Sequence, residues 1–200
     1  MDGPSVRDPQ PASGGARPRR LDGRRVLLGV TGGIAAYKAA ELARLLVREG
    51  AEVRAVMTEA ATKFVAPLTF ETLTGNPVGL DMFAARTEPE IEHVSLARWA
   101  EVLVVAPATA DVLAKLALGL ADNLLTATAL ACEAPLVLAP AMNPSMWRHP
   151  AVKANVETLR SRGCSFVGPS EGEVACGEEG VGRMAEPAEI VEAVGAALSG

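Results

Sequence analysis

Apolar residues form short unbroken runs along the chain, each about the length of a strand. Four clear runs and a weaker fifth are RVLLGV (25–30), EVRAVMT (52–58), EVLVVAPA (101–108), APLVLAPA (134–141) and CSFVGP (164–169). Unbroken runs of this length are typical of parallel strands that are buried on both faces. All of them fall short of the roughly 18 residues that a membrane span needs, so we predict no membrane segment.

Between these runs, apolar residues recur at helical spacing. The first such stretch begins at Ile34 and stops at Gly50, a residue type that commonly follows the last turn of a helix. The other helical stretches cover residues 111–132, with a break near Gly119, 149–163 and 187–198. Strands that alternate with helices predict a parallel sheet with right-handed crossovers. The expected fold class is therefore α/β, a single-domain three-layer Rossmann-like (flavodoxin-like) fold.

Composition adds limits on domain organisation and on partners. The chain has 200 residues, of which 49% are hydrophobic, and a net charge of −5. This suits one well-packed domain and does not favour nucleic acid as a partner. Residues 1–23 are rich in Pro, Gly, Ser and Arg and lack the apolar segment of a secretory signal. We expect them to be a disordered tail that precedes a domain of residues 24–200.

The cysteines point away from a metal site. Cys132, Cys164 and Cys176 form no CxxC pair and have no set of nearby histidines, so neither a zinc site nor a disulfide framework is predicted. Free thiols are typical of a reducing compartment, and we expect a cytoplasmic protein. Cys132 ends an apolar helix and Cys164 begins a strand, so both are expected to fill the core.

Residues with chemical potential follow the strands. Doubly wound sheets bind ligands beyond the carboxyl ends of their strands. The segments TGGIAAYK, MTEAATKF, PATAD and PAMNPSMW each come directly after one of the four clear strands. We therefore expect the four segments to meet at one crevice.

The segment after the first strand suggests a phosphate site. Thr31, Gly32 and Gly33 lie between a strand and a helix, where glycines let backbone N–H groups approach an anion and the helix N-terminus favours its charge. Thr58 and Thr109 follow the next two strands. The motif is neither GxGxxG nor a P-loop, and an ordinary tight turn is the alternative reading. Together the residues predict a mononucleotide such as FMN rather than a dinucleotide.

The segment PAMNPSMW combines stiffness, one polar group and apolar bulk. Its prolines restrict the backbone, and the amide of Asn143 can donate to a carboxylate. Met142, Met146 and Trp147 could form an apolar wall against a planar ligand or a neighbouring subunit. The alternative is a proline-rich loop whose aromatic residue packs in the core.

A glycine-rich segment, GEVACGEEGVGRM (172–184), has the composition of a mobile lid. Cys176 lies within it, and Arg183 is a candidate for holding the lid or for binding an anion.

The chain has two histidines, His93 and His149. Taken alone, each is best interpreted as a surface residue near the start of a helix.

Four motifs taken together resemble one family. They are GVTGGIAAYKAAEL, PATADVLAKLALGLADNLL, PAMNPSMW and ACGEEGVGRMAEP, in this order from about Arg24 to the C-terminus. They resemble the homo-oligomeric flavin-containing cysteine decarboxylases, and within that family most of all the phosphopantothenoylcysteine decarboxylases of coenzyme A synthesis. The pattern PxMNxxMW is the most specific of these features.

The resemblance implies a cofactor and an assembly. FMN would bind at the strand ends, against Thr31, Gly32, Gly33, Ile34, Thr58 and the loop Pro107, Ala108, Thr109 and Ala110. Members of the family form trimers, some of which assemble into dodecamers, with the flavin at the trimer interface. His93 would reach the flavin of a neighbouring subunit, which replaces its interpretation as a surface residue.

The resemblance also implies a reaction. FMN would take a hydride from Cβ of a C-terminal cysteine unit, giving a thioaldehyde that makes loss of CO2 easy. Asn143 would bind the carboxylate, with Met146 and Arg183 beside the substrate, and His93 would act as the acid or base. Cys176 would donate a proton as the hydride returns, which makes the overall decarboxylation redox-neutral.

Several alternatives stay open at this point. A relative that acts on peptides would stop at the ene-thiol and would not need Cys176. The ligase domain that many coenzyme A relatives carry is missing, so a fragment, a separate coenzyme A enzyme and a recruited peptide decarboxylase all fit. A non-catalytic flavin-binding regulatory subunit is less favoured, because His93, Asn143 and Cys176 are all present. Flavin prenyltransferases share the expected fold but not PxMNxxMW.

Overall fold

The computed structural model describes residues 19–83, 92–173 and 177–199. In chain order the elements are β1 (Arg25–Val30), α1 (Ala36–Arg48), β2 (Glu52–Met57), a 3-10 turn (Ala61–Lys63), α2 (Pro67–Thr74), β3 (Val78–Gly79), α3 (Glu92–Trp99), β4 (Val102–Ala108), α4 (Ala110–Leu118), α5 (Leu124–Ala131), β5 (Leu136–Pro140), α6 (Pro144–Arg148), α7 (Pro150–Ser161), β6 (Ser165–Phe166), β7 (Ser170–Glu173), β8 (Glu179–Arg183) and α8 (Pro187–Ala197).

Six of the strands form one parallel sheet. Their order is β3-β2-β1-β4-β5-β6, and every neighbouring pair is parallel. The chain runs outward in one direction from β1 and in the other from β4, so the strand order reverses between these two central strands. Such a reversal opens a crevice at the carboxyl ends of the strands, where doubly wound proteins bind ligands. The predicted Rossmann-like parallel sheet is confirmed.

Helices cover both faces of the sheet, as alternate strand residues show. Val26 and Leu28 of β1 pack into a cluster with α1, α2 and α8, whereas Leu27 packs into a second cluster with α3, α4, α5 and α7. Because the strands are buried on both sides, their sequences are apolar throughout, which is why they were visible as unbroken runs. The three-layer prediction is also confirmed.

The folded part of the chain begins before residue 24. Leu21 is only 1% exposed and packs into the first of these two clusters. Its backbone N–H donates to Glu49 O at 3.0 Å, and the N–H of Gly23 donates to Gly50 O at 3.0 Å. Residues 19–23, which we expected to belong to the disordered tail, are therefore fixed by an apolar side chain and by backbone bonds at the end of α1.

The pattern of apolar residues did not predict some short or polar elements. α2 buries only Phe70, which is too little to give a helical period. The strands β7 and β8 form a separate antiparallel pair with the sequences SEGE and EGVGR, which show no alternation of apolar and polar residues. The break predicted near Gly119 is present between α4 and α5. Within the described residues, no helix is long and apolar enough to cross a membrane.

Candidate functional site

A cavity of about 1030 Å³ lies at the carboxyl ends of β1, β4 and β5. This is the point at which the strand order reverses, as the fold predicts. Four segments form the wall, namely the turn after β1 with the start of α1, the start of α4, the loop after β5, and β8 with the residues that follow it. The lining residues are Gly32, Gly33, Ile34, Ala35, Tyr37, Lys38, Thr109, Ala110, Asp111, Ala141, Met142, Asn143, Met146, Gly182, Arg183, Met184 and Glu186.

Thr31 ties the first two of these segments together. Its side chain is buried, and its hydroxyl donates to Pro107 O at 2.6 Å. The backbone N–H of Thr109 in turn donates to Thr31 Oγ1 at 3.3 Å, and the Thr109 hydroxyl caps α4 by accepting from Val112 N. Thr31 and Pro107 therefore shape the wall from behind, and the N-termini of α1 and α4 lie side by side at the cavity.

The glycines after β1 have two different functions in the structure. A Cβ on Gly32 would lie 2.3 Å from Ala60 Cβ, so this turn can pack on the loop after β2 only without a side chain. A Cβ on Gly33 would meet only the Thr109 methyl group, at 3.5 Å, so the glycine leaves open the space between the two helix N-termini. Thr58 does not line the cavity, and its hydroxyl accepts from the backbone N–H of Ala61 at 3.3 Å.

Asn143 presents a side-chain amide of fixed orientation. Its Oδ1 accepts from the backbone N–H of Ser145 at 2.7 Å, which caps α6. Its Nδ2 donates to Glu178 Oε2 at 2.9 Å. Because the oxygen is fixed at the helix, the nitrogen is the end of the amide that is turned toward an acid. Met146, in the following turn, also lines the cavity.

The apolar wall predicted for this loop is only partly present. Met142 and Met146 line the cavity, whereas Trp147 is half-buried and packs against the cluster that contains α4 and α7. The alternative interpretation, an aromatic residue in the core, is therefore correct for Trp147. An indole buries a large apolar area, and the core on this side of the sheet provides that contact.

The second half of the predicted lid is a strand that is packed on the site. The backbone N–H of Met142 donates to Gly182 O at 2.9 Å. A Cβ on Gly182 would lie 2.2 Å from Met142 O and 3.2 Å from Pro144 N, so only glycine allows this approach. β8 is thus fixed directly to the loop that carries Asn143. Cys176 lies outside the described residues.

Three charged side chains connect the elements around the cavity. Glu186, at the start of α8, forms ion pairs with Arg183 of β8 and with Lys38 of α1, the latter at 3.0 Å. The Arg183 guanidinium and then the Lys38 ammonium hold the pKa of Glu186 below its ordinary value. Arg183 therefore both lines the cavity and ties β8 to α8. The roles of Lys38 and Glu186 were not predicted from the sequence. The one signal there was a lysine in the helix that follows the glycine turn.

His93 lies away from the cavity of its own chain. It is half-buried in the first turn of α3 and does not line the cavity. A Cβ on Gly79 would lie 3.5 Å from the Glu92 carboxylate, so α3 begins beside β3. β3 is at the edge of the sheet, and β2 separates it from β1. Within a single chain, the structure does not bring His93 together with Asn143.

The predicted site residues fall into three groups. Those that line the cavity are Gly32, Gly33, Ile34, Thr109, Ala110, Asn143, Met146 and Arg183. Those that lie behind it or away from it are Thr31, Thr58, Pro107, Ala108 and His93. Cys176 belongs to neither group, because it is not described.

The other two cysteines are structural. Cys132 and Cys164 are free, half-buried thiols that pack against the second cluster, as expected. Burial raises the pKa of both thiols. Among residues 19–83, 92–173 and 177–199, no group of three or more His, Cys, Asp or Glu side chains could hold a metal ion.

Comparison with known proteins gives a consistent family. Residues 15–199 match the family described as Flavoprotein. The coenzyme A biosynthesis bifunctional protein CoaBC of Bacillus subtilis is 51% identical over 172 residues, and that of Vibrio vulnificus is 47% identical over 171 residues. Both matches cover 86% of this chain but only 42% and 43% of the relatives. The chain thus spans less than half the length of these curated relatives.

Solved structures match over nearly their whole length. The FMN-dependent cysteine decarboxylase SpaF has a TM-score of 0.79 at 38% identity, and the match covers 90% of this chain and 97% of SpaF. A mutant PPC decarboxylase complexed with pantothenoylaminoethenethiol has a TM-score of 0.78 at 37% identity, covering 86% and 96%. The FMN binding protein AtHal3 has a TM-score of 0.74 at 37% identity, covering 86% and 94%.

Proposed function

Because the chain belongs to the flavoprotein family, we propose that it is an FMN-dependent decarboxylase that acts on a C-terminal cysteine unit. The proposed reaction converts 4′-phosphopantothenoylcysteine to 4′-phosphopantetheine and CO2, as part of coenzyme A biosynthesis. The observation that carries the proposal is the Asn143 amide, which lines the cavity and donates to a carboxylate. The CoaBC relatives and the PPC decarboxylase structure support the choice of substrate.

The cavity fits FMN by its donor set and its size. Two helix N-termini and the turn Gly32–Gly33, which has no side chains, suit the phosphate of a mononucleotide, and about 1030 Å³ leaves room for a ring system and a substrate. Gly32, Gly33, Ile34, Thr109 and Ala110 would hold the cofactor. Bound there, FMN would supply reversible hydride transfer. Thr31, Thr58, Pro107 and Ala108 would act indirectly, by fixing the turns.

The protein's own groups then bind and orient the substrate. Asn143 Nδ2 donates to the substrate carboxylate, and the bond from Ser145 N to Oδ1 keeps the amide in that orientation. Met146 supplies an apolar contact and Arg183 a positive charge at the cavity wall. His93 serves as the acid or base at the substrate thiol, and Cys176 gives a proton to the carbon skeleton after CO2 has left.

The position of His93 leads us to propose a homo-oligomer. Since His93 does not line the cavity of its own chain, the proposed site is completed by His93 of a second copy, in a trimer or in a dodecamer built from four trimers. Ile34, Tyr37 and Met146 support this, because these cavity-lining side chains are 59%, 61% and 47% exposed. An apolar rim of this kind is typical of a surface that a partner covers. The free thiols favour the cytoplasm as the location.

The substitution Asn143→Asp tests the proposed reaction. It replaces the donor by a second negative charge that repels the substrate carboxylate, so kcat/KM for CO2 release should fall at least about 100-fold. FMN absorbance should be unchanged. Ser145→Ala is the control, because its backbone N–H remains, and it should keep activity within about twofold. Normal turnover by N143D would show that Asn143 does not bind the carboxylate.

Subunit mixing tests the assembly. His93→Asn and Asn143→Asp should each be inactive alone, since each lacks one half of every site. If the two halves come from different copies, mixed oligomers contain some intact sites and should regain part of the activity. Activity that stays absent after mixing, in oligomers shown by light scattering to have exchanged subunits, would refute a shared site.

A second candidate function uses the same cavity. Oxidative decarboxylation of a peptide C-terminal cysteine to an ene-thiol needs the same carboxylate contact, and the match to the cysteine decarboxylase SpaF over 90% of this chain favours it. The masses of the products distinguish the two reactions.

A further inference from the structure

We propose that Glu178 holds the place of the substrate carboxylate on Asn143 and competes with it for the amide. In this arrangement the Glu178 carboxylate must be exchanged for the carboxylate of an entering substrate, and it returns once that carboxylate has left as CO2. The inference rests on the proposed function and concerns how the same site sets the relative affinities for substrate and product.

The Asn143 amide has a fixed direction. Ser145 N donates to Oδ1 at 2.7 Å, and this leaves Nδ2 turned toward Glu178, to which it donates at 2.9 Å. A side-chain amide that donates to a carboxylate is the contact that the proposed substrate requires. The protein therefore contains its own ligand for that donor, on the segment that leads into β8.

Exchange is favoured over simultaneous binding. The Asn143 NH2 group has two N–H donors, but two carboxylates held by the same nitrogen would lie close together and would repel each other, which favours exchange. Glu178 is exposed, so its carboxylate can return to water without a large loss of solvation. β8 need not move with it, since the strand is fixed further along by the bond between Met142 N and Gly182 O.

The consequence is a smaller difference in affinity between the substrate, which carries the carboxylate, and the product, which lacks it. A substrate replaces the Glu178 bond by an equivalent charge-assisted bond, so the donor stays paired throughout. The decarboxylated product offers no acceptor at this position, so Glu178 keeps or regains the amide. Glu178 thus weakens substrate binding by competition and leaves product binding almost unchanged.

The test measures two affinities on the FMN-loaded protein by calorimetry. The ligands are phosphopantothenoylserine, which has the carboxylate but no thiol to be oxidised, and 4′-phosphopantetheine, which lacks the carboxylate. Glu178→Ala should tighten binding of the first about tenfold and change the second by less than about twofold. Glu178→Gln, which keeps an acceptor but loses the charge, should fall in between. Glu179→Gln is the matched control and should change both affinities by the same small factor.

Two results would overturn the role of Glu178 alone. One is weaker binding of phosphopantothenoylserine by both Glu178 variants, which would mean that Glu178 supports the site. The other is an equal change for both ligands, as in the control, which would mean a general effect of charge. If the unaltered protein binds FMN but neither ligand, the proposed function itself is overturned. Unchanged FMN absorbance in E178Q shows that the fold is intact.

Discussion

The contact between Gly182 and the loop after β5 allows a sharp test of how the site is built. In Gly182→Ala, the new Cβ would lie 2.2 Å from Met142 O and 3.2 Å from Pro144 N. Real Cβ atoms essentially never lie closer than 3.0 Å to such an atom, so β8 and the loop must separate by about 1 Å. Both atoms in question belong to the backbone, so no flexible side chain can absorb the shift.

The expected magnitude follows from what that separation breaks. The bond from Met142 N to Gly182 O, 2.9 Å long, would be stretched or lost, at a cost of about 1 kcal/mol. With the remaining strain we expect a destabilisation of about 1–3 kcal/mol, and thus a melting temperature lower by about 2–4 °C for each kcal/mol. Because Asn143 follows Met142, the carboxylate-binding amide shifts as well. A misplacement of about 1 Å in a reacting complex can reduce kcat/KM about 100-fold.

The assay compares CO2 release with calorimetric melting for Gly182→Ala and for Gly195→Ala. The control makes the same chemical change within α8, where a Cβ would meet only Leu21 Cδ2, at 3.9 Å. G195A should keep full activity and gain a little stability, because alanine favours helix. G182A should lose activity at temperatures at which it is still folded. Full activity of G182A, or a loss that only follows global unfolding, would refute the account of β8 as a fixed wall of the site.

Three further predictions concern Thr31, Glu186 and the structural cysteines. Thr31→Val removes a buried hydroxyl that joins the turn after β1 to Pro107 at the end of β4. Stability should therefore fall by about 1–2 kcal/mol and FMN should bind more weakly. Equal FMN affinity would contradict the role of Thr31. The Glu186 carboxyl has a lowered pKa in the folded protein, first through Arg183, so its stabilising effect is present at neutral pH and lost as pH falls through that pKa. Glu186→Gln should therefore make stability less dependent on pH below about pH 4.5, which acid denaturation curves can show, and an unchanged pH dependence would contradict it. Burial raises the pKa of the Cys132 and Cys164 thiols. In a Cys176→Ser background, both thiols should therefore react with iodoacetamide far more slowly at pH 8 than in the unfolded chain. Equal rates in the folded and the unfolded chain would contradict their placement.

The sheet and its crevice were predictable because their signals are local. β1, β4 and β5 are buried on both faces, so each appears in the sequence as an apolar run, and the polar or glycine-rich segment after each run had to lie at the same edge of the sheet. This is why Gly32, Gly33, Thr109 and Asn143 could be named in advance as neighbours. The order of the strands then follows the common doubly wound pattern.

What escaped prediction depends on contacts between distant parts of the chain. Nothing in the sequence around Lys38 or Glu186 indicates that the two side chains form an ion pair, with Lys38 Nζ 3.0 Å from Glu186 Oε1. Thr31 was predicted to bind a phosphate because it lies in the turn before a helix. Its hydroxyl instead donates to Pro107 O on the neighbouring strand β4. Trp147 was predicted to be part of the apolar wall because Met142 and Met146 are its neighbours in the sequence. Its position on α6 instead directs the side chain against the core.

The position of His93 shows a different limit. The family resemblance places it at the flavin, whereas the single chain places it beside β3, at the sheet edge. The two statements agree only if a second copy supplies the histidine. The periodicity of one chain carries no signal of such an arrangement, because the arrangement depends on contacts between chains.

Mass spectrometry of the products formed by the FMN-loaded protein would show directly which substrate the protein decarboxylates. 4′-Phosphopantothenoylcysteine and a short peptide ending in cysteine should be offered separately. We expect 4′-phosphopantothenoylcysteine to lose about 44 mass units, which is CO2 with the hydride returned. A loss of about 46 units from the peptide, with phosphopantothenoylcysteine left unchanged, would contradict the proposed coenzyme A reaction and would establish the second candidate instead.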